Sequence, residues 1–380
     1  MMRFTLLFWS LLQLVHANIL LPGTAGPCQV QTKSAQLTDK SRIDPFSPKN
    51  ETRAIMVTSF VPVHCGEMQS TPYAPPKIAN SLDPLLGLPN NTLQLFRLAS
   101  FASTRQTQNQ TTEYPVIFFS PGLASSRLLY ANLLEEVASA GYAVVSIDHP
   151  YDAGMVEFPD GHIVSLSNEV ISNITTAVDV RAADVRFTLD QLRDNGRSII
   201  PSAFSGKLQL DRVAVIGHSL GGATAAHAML KDPRFVGGLN FDGALQGPVI
   251  KQGLDRPFIN FGESELNQGY DSWKQVWPHL RSFRLQVQLK GAKHMTFSDL
   301  PLVLDSAPSA SVLRNASVDH LGKLPGVGEL PGIGSLPGLR VKIILTDYIT
   351  AACNFFITGK KSPLLQGPSP QYPEVAYTRR

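Results

Sequence analysis

Charge is what this chain of 380 residues has little of: only 17% of it is Asp, Glu, Lys or Arg. The 33 basic and 30 acidic residues leave a formal net charge of +3. Its Lys/Arg clusters are short, so the basic face that nucleic-acid binding requires is missing and that partner is not expected. Cysteine is scarce as well, with three residues, Cys28, Cys65 and Cys353. They form no Cys-X-X-Cys unit and the histidines do not cluster, so neither a metal nor another cofactor is expected. Beyond the first 17 residues no stretch reads as the roughly 20 apolar residues that a membrane helix needs. The mature chain is therefore expected to be soluble.

What the chain does have is apolar mass. Hydrophobic residues make up 43% of it, enough for a substantial core in one large domain. The N-terminus is more particular. Met1-Met2-Arg3 is a short positive start, and Phe4 to Val15 is an apolar run broken by few polar residues, Ser10 and Gln13 among them. Val15-His16-Ala17 then offers small residues where a signal peptidase reads. Residues 1–17 are expected to be a secretory signal peptide and the mature chain to be extracellular. Five Asn-X-Ser/Thr triplets, at Asn50, Asn90, Asn109, Asn173 and Asn315, fit a glycosylated, exported protein. In an oxidising compartment Cys28 and Cys65, which flank the first two expected strands, are the candidate disulfide, and Cys353 is a buried thiol.

Periodicity along the chain alternates between two and 3.6 residues. Residues 18–52 are polar, with a short strand possible at Pro27-Cys28-Gln29-Val30, and Arg53 to Val63 is a strand. Residues 66–112 look like loop, with a possible helix over Thr92 to Phe101. Pro115 to Phe119 is a strand buried on both faces. A helix over Leu128 to Ala140, a strand over Tyr142 to Ile147 and a helix over Ala177 to Leu192 follow. Further strands are expected at Arg212 to Ile216, Phe235 to Phe241, Pro257 to Phe261 and Arg284 to Leu289, with a helix at Ala223 to Leu230. This alternation predicts an α/β protein, a mostly parallel central sheet with helices on both faces, over 18–358. Residues 301–340, where Leu-Pro-Gly recurs at 324, 330 and 336, are expected to be an irregular insertion, bland or a mobile flap. A helix over Val341 to Ile357 closes the domain, and 359–380 reads as a disordered tail.

Gly217-His218-Ser219-Leu220-Gly221 fits G-x-S-x-G directly after a strand and before an Ala-rich helix. That context makes Ser219 the expected nucleophile, exposed on a tight turn whose glycines permit close approach of the backbone. In the chain order of the α/β-hydrolase fold the base follows the last strand, and His294 is the histidine in that place. The acid stays open on spacing alone: Asp242 ends one strand, while Glu263 and Glu265 follow the next. Asp148 and Asp152 precede the serine and break the order. The oxyanion donors are expected to be the backbone amides of Leu220 and of Leu123, in the turn after the Phe118-Phe119 strand.

Taken together, Ser120-Pro121-Gly122-Leu123, Gly217 to Thr224, Leu239-Asn240-Phe241-Asp242-Gly243 and His294 with Phe297-Ser298-Asp299 resemble the monomeric, secreted-type platelet-activating-factor acetylhydrolases and their fungal relatives. The resemblance runs from about Arg53 to the last helix. It implies that Asp242 is the acid and Leu123 the second oxyanion donor. It also implies calcium-independent hydrolysis of short or oxidised sn-2 acyl chains of glycerophospholipids, by a monomer in transient contact with lipid surfaces. Leu220 stands where the mammalian motif has phenylalanine. Two other readings are a cutinase-like or general carboxylesterase, whose acid would follow the later strand, and an inactive hydrolase fold that binds lipid.

Overall fold

Val116, Ile117, Phe118 and Phe119 leave no polar face, and a strand of that kind must be covered on both sides. The computed structural model, which describes residues 18–63, 67–102, 112–263, 271–308, 310–324 and 326–379, puts this segment in the middle of a nine-stranded sheet. Its strands are β1 (Gln29–Ile43), β2 (Thr52–Val63), β3 (Glu113–Ser120), β4 (Ala143–Asp148), β5 (Lys207–His218), β6 (Phe235–Phe241), β7 (Phe258–Glu263), β8 (Arg284–Leu289) and β9 (Val375–Arg379). They lie in the order β9-β8-β7-β6-β5-β3-β4-β2-β1. The pairs from β4 through β8 are parallel, and the flanking pairs are antiparallel.

Strand alternation sorts the core into two layers. Ile117, Phe119, Ala214 and Ile216 pack with helices α1 (Ala131–Ser139), α4 (Leu300–Ser306) and α5 (Gly338–Thr358). Val116, Phe118, Val213 and Val215 pack on the other face with α2 (Ile174–Asn195) and α3 (Leu220–Lys231). This is the α/β-hydrolase arrangement. Chain order reverses beside β3, because β4 lies on one side of it and β5 on the other. The carboxyl ends of β3 and β5 thus form the switch point at which such sheets bind ligands.

Several expectations are corrected. The polar segment before Arg53 holds β1, paired with β2 over nearly its whole length. As an edge strand with much of its side exposed, it carries polar residues that conceal it. The expected helix over Thr92 to Phe101 is a short 3-10 turn followed by strand Phe96–Ala102, which pairs with Ile19–Leu20 and Glu67–Pro72. Residues 301–340 are not irregular. They hold α4, the helix Ala310–Ser317 and the hairpin His320–Leu324/Gly328–Pro331. The Leu-Pro-Gly repeats punctuate these elements: Gly326 and Gly328 take positive φ in the hairpin turn, and Pro337 caps the start of α5.

The tail is ordered too. Tyr372 and Val375 are buried and β9 covers the edge of β8, an edge that would otherwise stand open to pairing with another chain. Helix α5 is also long and apolar enough by composition to cross a bilayer, contrary to expectation, but two-thirds of its apolar window is buried within the fold. Cys353 lies buried on it, as expected. The signal segment, Cys65 with its proposed bridge to Cys28, Asn109 and Glu265 lie outside the described residues.

Candidate active site

Strand register alone gathers the site at one edge of the sheet. Gly217 of β5 lies opposite Ser120 of β3, and His218 lies opposite Phe241 of β6. The residues that follow these strands, Ser219, Pro121-Gly122-Leu123 and Asp242, therefore emerge side by side. Ser219 is held at φ 56° and ψ −122° between β5 and α3, a strained conformation for a residue with a side chain. The turn closes only with glycine nearby: a Cβ on Gly221 would stand 1.9 Å from the Ser120 carbonyl oxygen, and one on Gly217 2.2 Å from that of Gly221. The Gly122 loop folds over the serine, so that a Cβ at Gly122 would be 3.3 Å from the Ser219 Cβ. Ser219 itself is half-buried.

Asp242 directly follows β6, at φ 52°, with its side chain fully buried. Its Oδ2 accepts a 2.6 Å hydrogen bond from His294 Nδ1, and its Oδ1 accepts one of 2.9 Å from the Glu263 backbone amide. Geometry thereby separates the candidate acids. Asp242 faces the imidazole, whereas Glu263 at the end of β7 supplies a backbone donor to it. An ionised carboxylate accepts only, so Nδ1 carries the proton and Nε2 is left with its lone pair free to take one. The His294 side chain, on a 3-10 turn after β8, remains 16% exposed, enough to meet a substrate.

His218 and Tyr130 join this assembly without having been expected in it. His218 Nε2 lies 2.9 Å from the His294 carbonyl oxygen, and the two rings are 4.6 Å apart between centroids. Burial, reinforced by the neighbouring His294, holds the His218 pKa well below the ordinary histidine value. Tyr130 Oη is 2.8 Å from His218 Nδ1 and accepts from the Gly122 amide at 3.3 Å.

Behind the Ser120–Leu123 turn lies a buried polar layer. Arg181, 1% exposed, is paired with Asp152 and donates to the carbonyls of Pro121 (2.7 Å) and Gly122 (3.1 Å). The planar guanidinium thus fixes two successive peptides. A trans peptide points its N–H away from its carbonyl, so holding the Gly122 oxygen on the Arg181 side directs the Leu123 amide away from Arg181. Ser120 Oγ donates to His149 Nε2 at 3.0 Å, and His149 Nδ1 donates to Asp184 at 2.8 Å. This is a second Ser-His-Asp constellation, but all three residues are buried. Burial would raise the Asp184 pKa, yet Arg53 and His149 overcome it and hold the carboxyl far below the usual range. Burial lowers the His149 pKa. The layer is a brace in which the hydroxyl has no access to substrate.

Sequence reasoning missed this layer. A signal existed: Arg181, Asp184 and Thr188 lie on the buried stripe of α2 with Ala177, Val178, Ala182, Val185 and Leu189. Charge on an apolar stripe marks a buried network.

The profile of the platelet-activating factor acetylhydrolase, isoform II, family matches residues 91–158 and 170–317. A probable 1-alkyl-2-acetylglycerophosphocholine esterase of Arthroderma benhamiae is 32% identical over 96% of this chain and 95% of its own. The dog platelet-activating factor acetylhydrolase is 23% identical over 49% of this chain and 48% of its own. Among solved structures, a ferulic acid esterase from Streptomyces cinnamoneus superposes with a TM-score of 0.77 at 29% identity, covering 96% of this chain and all of that one.

Proposed function

Since the chain belongs to the platelet-activating factor acetylhydrolase family and is an ester hydrolase, we propose that Ser219, His294 and Asp242 cleave the short sn-2 acyl ester of glycerophospholipids of the 1-alkyl-2-acetyl type. The observation that carries this is the 2.6 Å His294–Asp242 bond beside a serine on a strained strand-to-helix turn. His294 Nε2 takes the Ser219 proton as Oγ attacks the ester carbonyl. The amides of Leu123 and Leu220 receive the oxyanion, and the tetrahedral adduct collapses as the alcohol leaves with the proton from His294. Water, activated by the same imidazole, then releases the acid and restores the serine.

Export and lipid catabolism belong to the same proposal. The described sequon asparagines, Asn50, Asn90, Asn173 and Asn315, are all exposed, as glycan acceptors must be. A monomer that touches lipid surfaces transiently completes the reading. The likeness to a ferulic acid esterase favours a second reading, hydrolysis of small aromatic esters. A panel of acetyl and long-chain phosphatidylcholines with a feruloyl ester separates the two. The proposal expects the acetyl phospholipid to lead in kcat/KM by at least about tenfold, the scale on which a fitted acyl site discriminates. A feruloyl ester in that place would replace it with the second reading.

A further inference from the structure

Three loops must keep register for acyl transfer: the one bearing the nucleophile, the one bearing the base, and the one bearing the second oxyanion amide. They come from different strands, and nothing in the Ser219–His294–Asp242 set connects the third to the second. We propose that Tyr130 and His218 form a positioning pair that ties the Gly122–Leu123 oxyanion loop to the backbone of His294. The inference rests on the catalytic reading above and extends it to two residues that touch no substrate.

The donor directions are forced. A carbonyl oxygen only accepts, so the 2.9 Å contact with the His294 oxygen requires the proton on His218 Nε2. With the imidazole held neutral by burial, Nδ1 is an acceptor and Tyr130 must donate across 2.8 Å. The same hydroxyl accepts the Gly122 N–H at 3.3 Å. One polar line therefore runs from the oxyanion loop through Tyr130 and His218 to the peptide of the base. Tyr130 and His218 are 0% and 1% exposed, where a lost partner is felt in full. The line is flanked by tilted ring contacts, Tyr130 against Phe119 and His218 against His294, each 4.6 Å between centroids. His218 also precedes Ser219 in the chain, so all three loops meet at its imidazole.

Tyr130→Phe keeps the ring and removes only the hydroxyl. It is compared with His218→Gln and with the double variant, reading kcat, KM and the rate of fluorophosphonate labelling per folded enzyme. The expected result is a fall of about tenfold in kcat and labelling rate for Tyr130→Phe, with KM within about twofold, since misplacing a reacting group acts on the transition state. The double variant should be no slower than His218→Gln alone, because both changes cut one line. Unchanged kcat and labelling in Tyr130→Phe, even with a lowered melting temperature, would overturn the proposal, as would losses that multiply in the double variant. If His218→Gln does not fold, Tyr130→Phe decides by itself. Absence of labelling in the wild-type enzyme would instead sink the catalytic reading, and so tells the two failures apart.

Discussion

Ser219 and Asp242 both occupy positive φ, at 56° and 52°, and each departure of this kind costs about 1–3 kcal/mol. The cost is met where strand ends must turn sharply to present side chains to one another. Asp242→Asn leaves the shape intact but supplies a donor or a poorer acceptor to Nδ1, so kcat should fall on the order of 10⁴. Glu263→Gln keeps the backbone amide that donates to Asp242 and should leave turnover close to wild type. Steady-state kinetics of both variants decide, and the reverse pattern would return the acid to β7. Arg181→Met strands the buried Asp152 carboxylate. Unfolding in urea should show a loss of about 3–5 kcal/mol; under about 1 kcal/mol would mean that the brace is not electrostatic. Ser219 and His294 were legible because motif and chain order constrain them, whereas spacing left the acid open among Asp242, Glu263 and Glu265 and only the family resemblance pointed to Asp242. Tyr130, His218 and Arg181 were not legible, since their roles depend on contacts across residues far apart in sequence.

Elements with unmixed periodicity were readable nearly to the residue: Phe235–Phe241 and Arg284–Leu289 are strands with the expected bounds. The helix α2 was found but begins earlier, at Ile174, where the Asn173 side chain accepts from the Thr176 amide and caps it. Strands at the sheet margins escaped. β1 is polar because much of it faces water, and β9 is a short strand in a tail rich in proline and polar residues, whose place is set by the open edge of β8. A truncation after residue 370 tests that last point. It removes β9 and the buried Tyr372 and Val375, together on the order of 3 kcal/mol of apolar burial. The melting temperature should drop by several degrees, and an unchanged value would restore the picture of a dispensable tail.

For the molecule as a whole, two carboxyls on the α1 side of the sheet set a pH dependence. Burial pushes the Glu135 pKa up to about 8 against the pull of the Ser100 hydroxyl, and the Asp299 pKa up to about 7 against two backbone amides. A folded pKa above the unfolded one means that the native state holds protons the unfolded chain has released. These groups therefore cost nothing below the unfolded carboxylate pKa, and they erode stability as pH rises from there through the folded values. Glu135→Gln cannot ionise, so its stability relative to wild type should grow between about pH 5 and pH 8. Denaturant curves showing a constant difference would contradict this.

The account as a whole stands on which hydroxyl reacts, because two Ser-His-Asp constellations lie among the described residues. A fluorophosphonate probe followed by peptide mass spectrometry reads this directly. One adduct on Ser219, abolished together with ester hydrolysis in Ser219→Ala, is the predicted result. An adduct on Ser120, or ester turnover that survives in Ser219→Ala, would contradict it.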